Sequence, residues 1–209
     1  MMLNYSRRSF SLAAAALAAI IATGAPARAD AVGDGRALIQ SMGDTVIAIL
    51  KNKGLPKAQR EERFRQIYRA NFDHPVIAAF VMGPPWKKAS PAEQEEFLAL
   101  FETYVAKVYA AQLAAYSGEK LEVTRAEPDG DGATVESRIV DPKTRRIVEI
   151  KWRMRPAGGR LKVRDVLIEN LSMSQTQRRE FAAVMQQRGG TAAGLIAAMR
   201  DKIAELDRK

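Results

Sequence analysis

Helices at both ends of the chain and an alternating, turn-punctuated stretch between them predict an α+β fold, a curved antiparallel sheet of about four strands covered by helices. Three observations carry this. Apolar residues recur at three-to-four spacing up to about residue 116 and again after residue 174; between 121 and 168 the period drops to two; and the links between the alternating runs are short, which favours an antiparallel meander.

Residues 1–29 stand apart from that fold. Ser6-Arg7-Arg8-Ser9-Phe10 opens the segment, an Ala/Leu/Ile run reaches about Thr23, and Ala27-Arg28-Ala29 places small residues ahead of Asp30. This is the anatomy of a cleaved export signal, twin-arginine-like at its start. An uncleaved anchor is the alternative, against which the apolar run is shorter than the roughly 20 residues a spanning helix needs. With no cysteine in the chain, no lipid can be attached there and no disulfide supports the fold. The expected product, residues 30–209, is a diffusible single domain in the periplasm of a diderm bacterium. Loss of Arg7, Arg8 and Arg28 takes the net charge from +9 to +6. A basic exported protein fits transient contact with anionic lipid; solubility alone accounts for the charge equally well.

The first helix is predicted over 32–53, on Leu38, Ile39, Met42, Val46, Ile49 and Leu50, and Gly54 ends it. Two short helices follow over 60–72 and 76–82, separated at Asp73-His74-Pro75 and stopped by Gly83-Pro84-Pro85. Ser90-Pro91-Ala92-Glu93 is a capping box with proline at the first helical position. The long helix it starts runs to about Tyr116. Strands are expected at 121–126, 134–140, 147–155 and 161–168, with turns at 128–132, 141–143 and 157–159. Ile150, Trp152, Met154, Leu161 and Val163 make one face apolar; Lys151, Arg153, Arg155, Lys162 and Arg164 make the other a basic strip. Helices over 175–187 and 191–206 close the chain.

Catalytic chemistry is poorly supplied. His74 is the lone histidine and sits where a turn or cap is needed, so no zinc site can be assembled. Asp129-Gly130-Asp131-Gly132 lacks the later ligands of a calcium loop and reads as a hairpin turn. Glu93, Glu95 and Glu96 complement a helix dipole. Neither a nucleophile elbow nor a dinucleotide-binding glycine motif occurs. Scattered cations, with Trp86 and Trp152 outside any stacking platform, argue against nucleic acid. The expectation is a binding protein without cofactor, not an enzyme.

Two blocks of sequence carry a resemblance. Lys88-Ala89-Ser90-Pro91-Ala92-Glu93-Gln94-Glu95-Glu96-Phe97 continues through Phe101, Tyr104, Tyr109 and Tyr116; later come Ile150-Lys151-Trp152-Arg153, Val166-Leu167-Ile168-Glu169-Asn170-Leu171-Ser172-Met173 and Arg178-Arg179-Glu180-Phe181. Together they resemble the MlaC/toluene-tolerance family over nearly the whole mature chain, with Asn170-Leu171 standing where the family usually has Gly-Val. The resemblance implies a periplasmic phospholipid shuttle between an inner-membrane ABC transporter complex and an outer-membrane lipoprotein complex, maintaining outer-membrane lipid asymmetry. A hopanoid-associated branch is the competing ligand class. The implied fold encloses an apolar pocket for acyl chains, with the head group near solvent.

On that reading the expected pocket lining is Phe101, Tyr104, Val108, Tyr116, Val135, Ile139, Ile150, Trp152, Met154, Val163 and Leu167. Arg153, Arg155, Lys162 and Arg164 are the candidates for head-group or docking contacts. An apolar sheet face is also what an ordinary filled core presents. A non-enzymatic interaction protein with a solid interior is therefore the competing reading.

Overall fold

The computed structural model describes residues 26–208, so residues 1–25 of the expected export signal 1–29 lie outside the described residues, and residues 26–29 fall in the first helix. Its elements follow the predicted order. Helices α1 (Pro26–Lys51), α2 (Lys57–Asn71), α3 (His74–Met82) and α4 (Pro91–Gln112) precede strands β1 (Lys120–Asp129), β2 (Gly132–Val140), β3 (Ile147–Ala157), β4 (Arg160–Ile168) and β5 (Leu171–Ser172). Helices α5 (Met173–Gln187) and α6 (Ala192–Asp207) follow. The strands form one antiparallel sheet in the order β1-β2-β3-β4-β5, not closed into a barrel.

Local chemistry explains the boundaries. Ser90 Oγ accepts from the Glu93 amide while the Glu93 carboxylate accepts from the Ser90 amide at 2.8 Å, so the predicted capping box starts α4. The helix ends at Gln112 and one 3-10 turn, Leu113–Ala115, carries the chain to Tyr116. The turn expected over 128–132 shrinks to Gly130-Asp131, because pairing continues to Asp129 opposite Gly132. The two-residue β5 was not expected. It follows a reversal at Glu169 and Asn170, both with positive φ. Asparagine is among the non-glycine residues best suited to that region, so Asn170 fits the turn.

One register feature corrects the sequence reading. Four residues apart on a regular strand, Val163 and Leu167 would share a face. A bulge opposite Arg153 and Met154 intervenes, so Val163 pairs with Met154 while Leu167 pairs with Lys151 and Val166 with Trp152. Leu167 therefore lies on the face opposite Trp152, and Val166 takes its inward place.

The core has two main parts. Phe97, Phe101, Val81, Met82, Phe181, Leu195 and Met199 fill the space among α3, α4, α5 and α6. Ile39 and Met42 of α1 cover Ala133, Val135, Met154, Leu161 and Val163 of the sheet. Phe72 and Asp73 join the two parts: the Asp73 amide donates to Val163 O at 2.9 Å, and the Asp73 carboxylate accepts from Arg164 Nε at 2.8 Å.

Candidate functional site

Helix α1 approaches the sheet so closely that side chains would obstruct it. A β-carbon on Gly35 would meet Val135 Cγ2 at 3.2 Å, and one on Gly43 would meet Leu121 Cδ2 at 2.2 Å. Between these glycines Ile39 is fully buried. The apolar face of β2, β3 and β4 is thus sealed by α1 at Val135, Met154 and Val163.

Helix α2 is held elsewhere. Its Phe64 and Tyr68 are buried, Arg69 Nε donates to Glu102 of α4 at 2.8 Å, and Glu61 accepts from Lys107 of α4 at 2.8 Å. Helix α1 is fastened to the sheet and α2 to α4, and Leu50 of α1 meets Phe64 of α2 and Ala110 of α4 in a third apolar cluster. A partly open cleft of about 520 Å³ remains between α1 and α2, within the roughly 300–1,000 Å³ range of ligand pockets. Met42, Ile49, Leu55 and Ile67 give it an apolar floor; Ser41, Thr45, Asn52, Arg63 and Gln66 make its rim. Met42 and Ile67 also pack on the sheet-side core, so the floor adjoins the sealed face. Arg63 is exposed and pairs with no carboxylate among the described residues.

None of the residues expected to line a pocket borders this cleft. Phe101 lies in the helical core, stacked on Phe97 with ring centroids 5.7 Å apart. Val135, Met154 and Val163 lie under α1, and Ile150 and Leu167 are buried. Tyr104, Val108, Tyr116, Ile139 and Trp152 are half-buried. Trp152 Nε1 donates to the fully buried Ser137 Oγ at 2.8 Å, which satisfies both polar groups. Tyr109 is exposed, yet burial leads in raising its hydroxyl's pKa, with Tyr104 and Glu180 adding to it.

The basic strip is already partnered. Arg155 pairs with Asp129 at 3.0 Å and Asp131 at 3.5 Å, Arg164 with Asp73 at 2.8 Å, and Arg153 with Asp165 at 3.9 Å. Lys162 Nζ donates to Arg69 O at 3.4 Å. A cation with no carboxylate partner among the described residues, Arg63, borders the cleft, and sequence reasoning passed over it. Its only signal was the small residues Ala48 and Ala70 among the polar turns of two neighbouring helices, and a gap between helices has no periodicity.

His74 opens α3 and ties three helices together. Its Nε2 lies 3.1 Å from Leu98 O, a pure acceptor, so Nε2 carries the proton and Nδ1 accepts from the Tyr68 hydroxyl at 3.2 Å. Burial lowers its pKa, only partly offset by Glu102, which keeps the ring neutral. The ring also stacks on Phe101 at 6.0 Å.

Comparison with known proteins places this arrangement. The family model described as "MlaC protein" matches residues 40–201. The chain belongs to the MlaC family. That match includes every residue bordering the cleft. Among curated relatives, the intermembrane phospholipid transport system binding protein MlaC of Haemophilus influenzae is 24% identical over 113 residues, 52% of this chain and 53% of that protein. Toluene tolerance protein ttg2D of Pseudomonas putida is 25% identical over 104 residues, 49% of this chain and 48% of that protein. The chain thus aligns with about half the length of the curated relatives it matches. A solved structure, the phospholipid-binding protein from Ralstonia solanacearum in complex with a phospholipid, superposes with a TM-score of 0.71 at 22% identity. It covers 83% of this chain and 99% of its own, and it shows that the MlaC-family chain shares that fold.

Proposed function

We propose that this MlaC-family chain is a non-enzymatic phospholipid carrier of the periplasm. It exchanges lipid between an inner-membrane ABC transporter complex and an outer-membrane lipoprotein complex, and so maintains outer-membrane lipid asymmetry. The observation that carries the reading is the cleft between α1 and α2, with an apolar floor beside the sheet core and the free Arg63 guanidinium at its rim. Acyl chains suit the floor, and a head-group phosphate suits Arg63. The names of the relatives, the fold of the phospholipid complex and the signal-like N-terminus support it. No helix among the described residues is long and apolar enough to cross a membrane.

The energetics fit such a carrier. Transferring roughly 30 methylenes from water to an apolar site is worth about 24 kcal/mol at about 0.8 kcal/mol each, so free lipid does not cross an aqueous gap unaided. Relative to a bilayer the transfer is near neutral, and modest contacts at each end set the direction. Widening of the cleft, with α1 rising from the sheet, would let acyl chains reach the Val135, Met154 and Val163 face. Lipids copurified with residues 30–209 after mild isolation, identified by mass spectrometry, test the reading. Phospholipid at about one per protein supports it, hopanoid in its place moves the chain to the competing ligand class, and lipid-free protein sinks it.

A further inference from the structure

One end of the sheet gathers cations that nothing in the fold uses. The link from β2 to β3 is a compact turn. The Asp141 amide donates to Arg146 O at 3.0 Å and the Arg145 amide to Asp141 O at 3.0 Å. The Asp141 carboxylate accepts from the Lys143 and Thr144 amides at 2.7 and 3.1 Å. That carboxylate holds the turn, while Lys143, Arg145 and Arg146 extend into solvent. Beside them the register sets Lys120 opposite Val140, and Val140 opposite Ile147, so these three side chains share one face. None of the four cations forms an ion pair with a carboxylate among the described residues. Of the nearby acids, Glu119 is engaged by the Ser117 and Gly118 amides and Glu122 by Arg138. Glu149, two residues along β3 from Ile147, is exposed and in no ion pair among the described residues, so the four cations outnumber the one carboxylate left beside them.

In the middle of this group an aliphatic side chain is left in water: Ile147 is 47% exposed. Leu171, where β4 turns into β5, is 50% exposed at the same end, but it pairs through Ile168 with Ile150 and so lies on the opposite face of the sheet. Long cationic stems around an isolated aliphatic residue match the layered chemistry of a bilayer surface, with phosphates outermost and hydrocarbon a few ångströms deeper. An acidic protein surface would take the cations but offers no such layer for Ile147.

We infer that the β2–β3 turn, with Lys120, Lys143, Arg145, Arg146 and Ile147, is a docking surface for an anionic phospholipid bilayer. It rests on the carrier reading only in that a carrier must meet a membrane. Cations at the tip supply long-range attraction that salt screens, and Ile147 enters the interface once contact is made. The strip of Arg153, Arg155 and Arg164 does not compete, because its charges are internally neutralised.

The test is vesicle cosedimentation of residues 30–209 with phosphatidylcholine alone and with roughly 30 mol % phosphatidylglycerol. Binding is expected only to the anionic vesicles, and it should vanish at high salt. Replacing Lys143, Arg145 and Arg146 together by Ala weakens it about a hundred-fold, Arg146→Ala alone about five-fold. Arg160→Ala, an exposed unpaired cation at the other end of the sheet, leaves it unchanged. Ile147→Ser weakens binding without altering its salt dependence. The inference is overturned if neutral and anionic vesicles bind alike, if the triple variant binds as the parent does, or if the chain ignores vesicles and binds polyglutamate through this turn. Copurified phospholipid, measured on the same preparations, keeps the two readings apart: variants of the turn retain it, and its absence from vesicle-binding protein counts against lipid carriage alone.

Discussion

The two flanks of helix α1 differ more than any other neighbouring regions of the molecule. Toward the sheet, Gly35, Ile39 and Gly43 allow contact so tight that Val135, Met154 and Val163 have no exposed surface. Toward α2, the turns carrying Ser41, Thr45, Ala48 and Asn52 face open space. The same helix is thus a solid wall on one side and the bank of a cleft on the other, and Met42 belongs to both. The difference shows that the open space here lies between two helices with different main anchors, α1 on the sheet and α2 on α4, and not over the sheet face.

Changes to the sealed flank should act on stability first. Met154→Ala leaves a cavity under α1 and is expected to cost about 2–5 kcal/mol, read by denaturant unfolding, with lipid per folded molecule unchanged. If that variant loses lipid instead, the sheet face is already part of the site. Gly43→Val drives a side chain into Leu121 and should cost about 1–3 kcal/mol; an unchanged melting temperature would mean that α1 sits more loosely than its spacing implies.

The open flank should respond in the opposite way. Ala48 and Ala70 are exposed and border the cleft, so Ala48→Trp or Ala70→Trp fills it with a stability change within about 0.5 kcal/mol. Copurified lipid should fall several-fold, and Arg63→Glu should lower it further for anionic head groups. A tryptophan variant that melts early yet keeps its lipid breaks the comparison.

A smaller effect concerns the joint behind α2. Since burial lowers the His74 pKa, the unfolded chain takes up its proton first on acidification. The stability this group contributes is therefore complete above about pH 6.5 and is lost as pH falls toward its lowered value. Melting curves at successive pH values should show that slope for the parent and a shallower one for His74→Asn; identical slopes would assign the effect to other groups.

Much of the molecule was legible in residues near one another in the chain. The capping box at Ser90 and Glu93, the alternation in β3 and the stop at Gly83 are encoded locally, and each appears where expected. Leu167 was misplaced because a bulge depends on the partner strand, and alternation read along one strand cannot reveal it. The ion pairs of the basic strip, expected to offer head-group or docking contacts, were not legible because Asp73, Asp129 and Asp165 meet Arg164, Arg155 and Arg153 only after the elements pack. Arg63 was missed because nothing in its own helix distinguishes it from Arg60 or Arg69.

The amino-acid sequence by itself determined the class of fold, the order of its elements and, through two blocks of resemblance, the family. These follow from short-range rules: side-chain period, capping, turn residues and motif spacing. Only tertiary structure decided which apolar residues are sealed and which border open space, and which cations are neutralised. Those properties depend on the distance between elements far apart in the chain, and Gly43 against Leu121 shows how close that approach becomes when a single side chain is absent.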